Sequence, residues 1–199
     1  MLRNIKTYHR PTKVEDAVSL VQSSANAAYL GGGAWLTAQG DPKLEVAVDL
    51  QDVGIDVLEG DIEAVRIGAM ATLQEIIDHD DAGKLANGVL AKAAGLTQSR
   101  NLREQGTLGG ALIVAGSADP LTTVLLVLDG EIFYADPTGH SAPFASFVAY
   151  RDRLIKACAL LTEVRVKRPP TRSAAAYEVV GRSPKDKPIV GAAAYVEVE

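Results

Sequence analysis

Two glycine-rich stretches hold the residues best suited to chemistry in this chain. Gly31-Gly32-Gly33 follows the apolar run Ala27-Ala28-Tyr29-Leu30 and leads into Ala34-Trp35-Leu36. Gly106-Thr107-Leu108-Gly109-Gly110-Ala111 lies far downstream and also borders apolar sequence. Glycine has no Cβ, tolerates positive φ and lets another group come close to the main chain. Backbone bared in this way can aim N–H groups at anionic oxygens, so two such loops from distant parts of one chain could form two jaws around a phosphate. Taken singly, each loop reads first as a tight turn, because glycine is the default turn residue. Other chemistries find less support. Cys158 is the single cysteine, which leaves no disulfide framework, no cysteine zinc site and no iron–sulfur cluster held by this chain alone. His9, His79 and His140 are scattered without metal-ligand spacing, so no metal site is expected.

The elements that must position these loops can be read in order. Residues 5–8 suit a strand, and Thr12 with Glu15 makes a capping-box signature for a helix whose Val14, Ala17, Val18 and Val21 recur at helical spacing. Residues 27–30 suit a buried strand feeding the first glycine loop, residues 36–39 a short helix and residues 45–50 a third strand. That order predicts a parallel β-α-β-α-β unit with the first glycine loop at a strand's carboxyl end, where ligands bind in such units. From Gly54 onward residues 55–58 and 65–68 flank a turn-like Glu59-Gly60-Asp61, which predicts antiparallel pairing. A second capping box, Thr72 with Glu75, opens a short helix. Leu85, Val89, Leu90 and Ala93 mark another helix, with Gly95 as its C-terminal cap. Asp119 before Pro120 reads as an N-cap ahead of a buried stripe of Leu121, Val124, Leu125 and Leu128. Strands are expected at residues 131–135 and 160–166, then a linker, Lys167-Arg168-Pro169-Pro170, and two further strands at residues 177–180 and 189–198. Two strands make a poor independent domain, so this tail must pack on the body or on a partner.

With 199 residues, 47% of them hydrophobic, the chain can bury the core of one domain, or of one domain plus a fragment. The formal net charge is −5 and no Lys/Arg block is present to track a nucleic-acid backbone, so nucleic acid is not an expected partner. No apolar run is long enough to span a bilayer, and Met1-Leu2-Arg3-Asn4-Ile5-Lys6 lacks the apolar stretch of a signal peptide. The expectation is a cytoplasmic protein.

Five segments then fall into an ordered series: Gly31-Gly32-Gly33-Ala34-Trp35-Leu36, Val46-Ala47-Val48-Asp49-Leu50, Val65-Arg66-Ile67-Gly68-Ala69, Thr107-Leu108-Gly109-Gly110 and Leu161-Thr162-Glu163-Val164-Arg165-Val166. The series resembles the FAD-binding (medium) subunit of molybdenum hydroxylases, the family of carbon monoxide, xanthine and related dehydrogenases. The resemblance implies an α+β fold in two subdomains. Residues 1–166 would form the FAD-binding domain, parallel over 1–53 and antiparallel over 54–166, and residues 167–199 a linker and the start of a shortened C-terminal domain. It further implies that Gly31, Gly32 and Gly33 with Thr107, Gly109 and Gly110 hold the FAD pyrophosphate through backbone amides. Trp35 either stacks near the flavin or packs against the strand beside it. Redox chemistry would belong to the cofactor, so no catalytic side chain is named. The implied partners are a molybdopterin-binding large subunit and an iron–sulfur small subunit.

Three positions depart from the family pattern. Ala34 stands where Thr, Ser or His is usual, Ala111 where Asn or Asp is usual, and Pro120 where an aspartate is usual, the nearest being Asp119. Each lost hydrogen bond removes about 0.5–1.5 kcal/mol, so FAD binding is expected to be weakened or absent. The alternative reading is therefore a shortened homologue that has shed its flavin and serves as an interaction module, for example a homodimer formed through the incomplete sheet.

Overall fold

The structure, a computed structural model, describes residues 2–97, 99–116, 118–135, 140–183, 186 and 188–198. The first fifty residues build a parallel sheet from β1 (Thr7–His9), β2 (Ala27–Leu30) and β3 (Val46–Asp49), with β3 in the centre. Crossovers run through α1 (Val14–Gln22) and α2 (Ala34–Gln39), as the alternation of patterns predicts. Ala17, Val18 and Val21 are the buried stripe of α1. The expected capping box at Thr12 and Glu15 does not form. Lys13 occupies the N-cap position without a side-chain hydrogen bond, because the helix begins one residue later and leaves Thr12 outside the cap.

The second sheet is antiparallel and joins β4 (Leu58–Gly60), β5 (Ala64–Gly68), β6 (Glu131–Ala135), β7 (His140–Pro143) and β8 (Leu160–Lys167) in the order β4-β5-β8-β6-β7. Val65, Ile67, Ile132, Val164 and Val166 all point to one face and are fully buried. Successive side chains alternate between faces, so Arg66, Glu163 and Arg165 occupy the other one. There Arg66 forks onto Glu163 (Nη2 to Oε2, 2.6 Å) and reaches Glu59 (Nη1 to Oε1, 2.6 Å), while the Arg165 guanidinium lies 4.7 Å from the Phe133 ring centroid. The β4–β5 turn is displaced from the predicted Glu59-Gly60-Asp61. Glu59 and Gly60 pair with Arg66 and Val65, and the chain reverses after Asp61, whose carboxylate accepts from the Glu63 and Ala64 amides at 2.7 and 2.8 Å. A side-chain acceptor that satisfies two turn amides fixes the reversal more firmly than a glycine does.

Helices pack on the buried face of this sheet. α3 (Leu73–Asp78) carries the predicted capping box, with Thr72 and Glu75 bonded reciprocally. The helix expected around Val89 is the second piece of α4 (Asp80–Thr97), which is broken at residues 85–88 where Ala86, Asn87 and Gly88 adopt φ of 49°, 62° and 76°. Gly95 is not its cap, because the helix runs on to Thr97. α5 (Arg100–Arg103) and α6 (Leu108–Val114) follow, then α7 (Pro120–Val127), which Asp119 caps by accepting from the Thr122 amide at 2.9 Å. α8 (Phe144–Lys156) leads into β8.

The tail forms an antiparallel hairpin of β9 (Ser173–Val180) and β10 (Val190–Glu197). β9 lies against α4 and β10 against α7, and Tyr177 is buried to 1% exposure, so the tail does pack on the body. The strands expected at residues 177–180 and 189–198 correspond to the end of β9 and to β10, and β9 itself begins earlier, at Ser173. No helix among the described residues is long and apolar enough to cross a membrane.

Candidate functional site

The first glycine loop begins where β2 ends. Leu30 is in register with Asp49, and its carbonyl accepts from the Leu50 amide at 3.0 Å, so the strand is pinned up to the residue before Gly31. Gly33 then takes φ +73° to turn the chain into α2, a conformation that disfavours any side chain with a Cβ. The amides of residues 31–36 find no acceptor among the described residues; the first amide of this segment to be satisfied is that of Thr37, which donates to the Gly33 carbonyl at 3.0 Å. A run of open donors at the carboxyl end of a parallel strand is what an anionic group requires.

The second loop is built differently. Gly109 donates to the Ala69 carbonyl at 2.8 Å, Leu108 to Ala71 at 2.9 Å, and Gly110 to Thr107 Oγ1 at 3.2 Å. This second jaw turns its glycine amides toward the protein's own acceptors. Its glycine amides dock α6 onto the chain that follows β5 and cap the helix, and they are not available to a ligand. Thr107 itself keeps an open amide among the described residues, and its hydroxyl accepts from Gly110 while its proton stays available to donate.

The two loops meet. A Cβ built on Gly31 would lie 3.1 Å from Thr107 Oγ1, and one built on Gly32 would lie 1.4 Å from the Gln105 carbonyl oxygen. A Cβ on Gly109 would stand 3.0 Å from Ala69. Two of the glycines therefore allow backbone to approach backbone across the site and within its second jaw, and Gly33 supplies a turn. Gln105 carried no sequence signal because its contribution is a main-chain carbonyl. Asp49 was also passed over as a site residue, although a carboxylate ending an apolar strand is a visible signal. It is 3% exposed beside the first loop, accepts from the Gln51 amide at 2.9 Å and from the Tyr8 hydroxyl, and that bond raises the Tyr8 pKa.

The remaining predicted residues are placed as follows. Ala34 is the first residue of α2 and Trp35 the second, 49% exposed. Ala111 is buried on α6. Asp119 is not drawn into the site by its side chain, whose hydrogen bonds stay within the first turn of α7. Open amides from one jaw and a hydroxyl from the other fit a phosphate group, with no hydroxyl or carboxamide contributed at positions 34 and 111.

Residues 3–170 match the family described as FAD binding domain in molybdopterin dehydrogenase. The uncharacterized protein YgfM of Escherichia coli (strain K12) is 33% identical over 170 residues, which cover 83% of this chain and 60% of that protein. The carbon monoxide dehydrogenase medium chain of Afipia carboxidovorans is 30% identical over 200 residues, covering 94% of this chain and 67% of its own. Among solved structures, the cyanide-inactivated form of Cu,Mo-CO dehydrogenase superposes with a TM-score of 0.85 and 26% identity, over 100% of this chain and 72% of that one. The chain thus spans 60% of the length of the first of these relatives.

Proposed function

Because the chain belongs to the family of FAD-binding domains of molybdopterin dehydrogenases, we propose that it is the flavin-carrying, electron-relaying subunit of a molybdenum hydroxylase complex. The observation that carries this reading is the run of open amides at residues 31–36 set against the Thr107 hydroxyl and amide. On this reading the amides from Gly31 to Trp35 hold the pyrophosphate from one side, and Thr107 completes the cradle from the other. Gly109 acts indirectly, by seating α6 against Ala69 so that Thr107 stands opposite Gly31, and Gly110 by donating to the Thr107 hydroxyl at the helix cap. Ala111 contributes packing and Asp119 a helix cap, and neither touches the cofactor through its side chain.

FAD held there would supply the redox chemistry of an electron relay between iron–sulfur centres and an acceptor. The chain's own task is to bind and orient it. A medium chain of a carbon monoxide dehydrogenase is among the relatives, which supports a molybdopterin-binding large subunit and an iron–sulfur small subunit as partners. Residues 1–53 and 54–166 would be the two halves that enclose the cofactor, with residues 167–199 beginning a further domain. The retained cradle weighs against a chain that has shed its flavin.

The test is direct. Adding FAD to purified protein is expected to quench flavin fluorescence and raise the melting temperature. A colourless preparation that does neither sinks the proposal. Co-purification with a molybdopterin-containing subunit and a cysteine-rich subunit tests the complex.

A further inference from the structure

Residues 2–53, which hold the parallel sheet and the first glycine loop, touch the rest of the described residues through few polar contacts. Among the described residues a single hydrogen bond crosses the seam: Tyr29 Oη donates to the Cys158 carbonyl oxygen at 2.8 Å. Every ion pair among them joins groups on the same side. The bond is placed where it matters for the site. Its donor sits on β2, two residues before Gly31. Its acceptor sits in the turn between α8 and β8, where Cys158 has φ +55° and the Cys158 and Ala159 amides bond back to Ile155 and Leu154 at 3.0 and 3.1 Å.

That turn is rigidly joined to the second jaw. β8 pairs with β5 as far as Gly68 opposite Glu163, and the next residue, Ala69, receives the Gly109 amide. Tyr29 therefore ties the strand that carries one jaw to the frame that carries the other. Burial holds its pKa above the ordinary tyrosine value, so the hydroxyl remains a donor through the neutral range. At the jaws themselves the crossing contacts are Gly31 against Thr107 and Gly32 against Gln105, which pack without a hydrogen bond between them. Packing of bare backbone tolerates small shifts that a directed hydrogen bond does not.

We propose that Tyr29 is a positioning residue whose hydroxyl latches the first glycine loop to the α8–β8 turn and thereby fixes the gap that a bound FAD pyrophosphate spans. The proposal rests on the FAD reading given above. Without the latch the site samples wider gaps, and apparent affinity falls by the fraction of time spent in them.

The experiment compares the full-length wild-type chain with Tyr29→Phe and Cys158→Ala. In Tyr29→Phe the FAD dissociation constant, read by flavin quenching, rises about 2- to 12-fold, the effect of one neutral hydrogen bond. Without ligand, the hydrogen-bonded amides that flank its two loops, those of Thr37 and Leu50 beside the first and of Gly106 and Leu108 beside the second, exchange faster with deuterium than in wild type, while those of β5, β6 and β8 do not. Cys158→Ala keeps the main-chain carbonyl and retains wild-type affinity and exchange. Unchanged exchange at both loops in Tyr29→Phe overturns the latch, and so does a uniform rise across the chain, which marks a purely structural role. Wild-type protein that binds FAD no better than Tyr29→Phe also overturns it while leaving the FAD reading intact. Wild-type protein that binds no FAD sinks that reading and with it the cofactor-spanning role, whatever the exchange shows.

Discussion

Gly32→Ala is the substitution that most directly tests how the two loops are arranged. A Cβ at position 32 would lie 1.4 Å from the Gln105 carbonyl oxygen and 2.5 Å from its carbon. Ordinary contact begins near 3.5 Å, so the loops must separate by about 2 Å to admit one methyl group. Both groups are backbone, and no rotamer change relieves the overlap. Such overpacking costs about 1–3 kcal/mol, which for a chain of this size lowers the melting temperature by roughly 2–12 °C. A 2 Å separation also carries Thr107 out of hydrogen-bond reach of any phosphate held by residues 31–35. Losing one hydrogen bond to a charged group costs about 1.5–3 kcal/mol, or roughly 10- to 150-fold in FAD affinity. Flavin-quenching titration measures the affinity and thermal denaturation the stability. Gly95→Ala is the control, since a Cβ there meets nothing within 4 Å in the second half of α4. It is expected to leave FAD affinity unchanged and to stabilise the helix by about 0.5–1 kcal/mol. A Gly32→Ala protein with wild-type affinity and melting temperature would refute the arrangement.

Other outcomes follow from the same geometry. Gly33→Val forces a β-branched residue to φ +73°, and Gly109→Val drives a side chain against Ala69; each is expected to abolish FAD binding, and unchanged affinity in both contradicts the loop assignment. Ala34→Ser places a hydroxyl beside the open amides and is expected to tighten FAD binding by about 0.5–1.5 kcal/mol, measured by titration; no gain shows that position 34 does not face the phosphate. Tyr8 and Tyr29 have pKa values raised above the ordinary tyrosine value, Tyr8 by its bond to Asp49 and Tyr29 by burial. Their contribution to stability is complete below pH 10 and is lost as pH rises through the folded values. Ultraviolet titration of tyrosinate is expected to show both ionising late, and Tyr8→Phe with Tyr29→Phe to flatten the alkaline fall in stability.

Much of the fold was legible in the chain itself, because it depends on neighbours in sequence. The Thr72 and Glu75 capping box, the Asp119 cap ahead of Pro120 and the buried stripe of α7 all appear as read, since each is satisfied within one or two turns of helix. The misreadings came where two local signals competed. Thr12 and Lys13 vied for a helix start, Gly60 and Asp61 for a turn, and Asn87-Gly88 rather than Gly95 broke the helix, because two adjacent residues that tolerate positive φ outweigh one. The five-segment series was enough to place the chain in its family.

The internal design of that site was decided only by tertiary structure. Sequence showed glycines at positions 31–33 and 109–110 but gave no means of telling open amides from engaged ones, since the acceptor of Gly109 is the carbonyl of Ala69, forty residues away. It gave no reason why position 32 must be glycine, because the obstruction is the main-chain oxygen of Gln105. Nor did it set Tyr29 apart from any strand tyrosine, since its partner Cys158 is 129 residues distant. Backbone chemistry is the same at every residue, so which amides stay open and which backbones touch is settled by three-dimensional proximity alone.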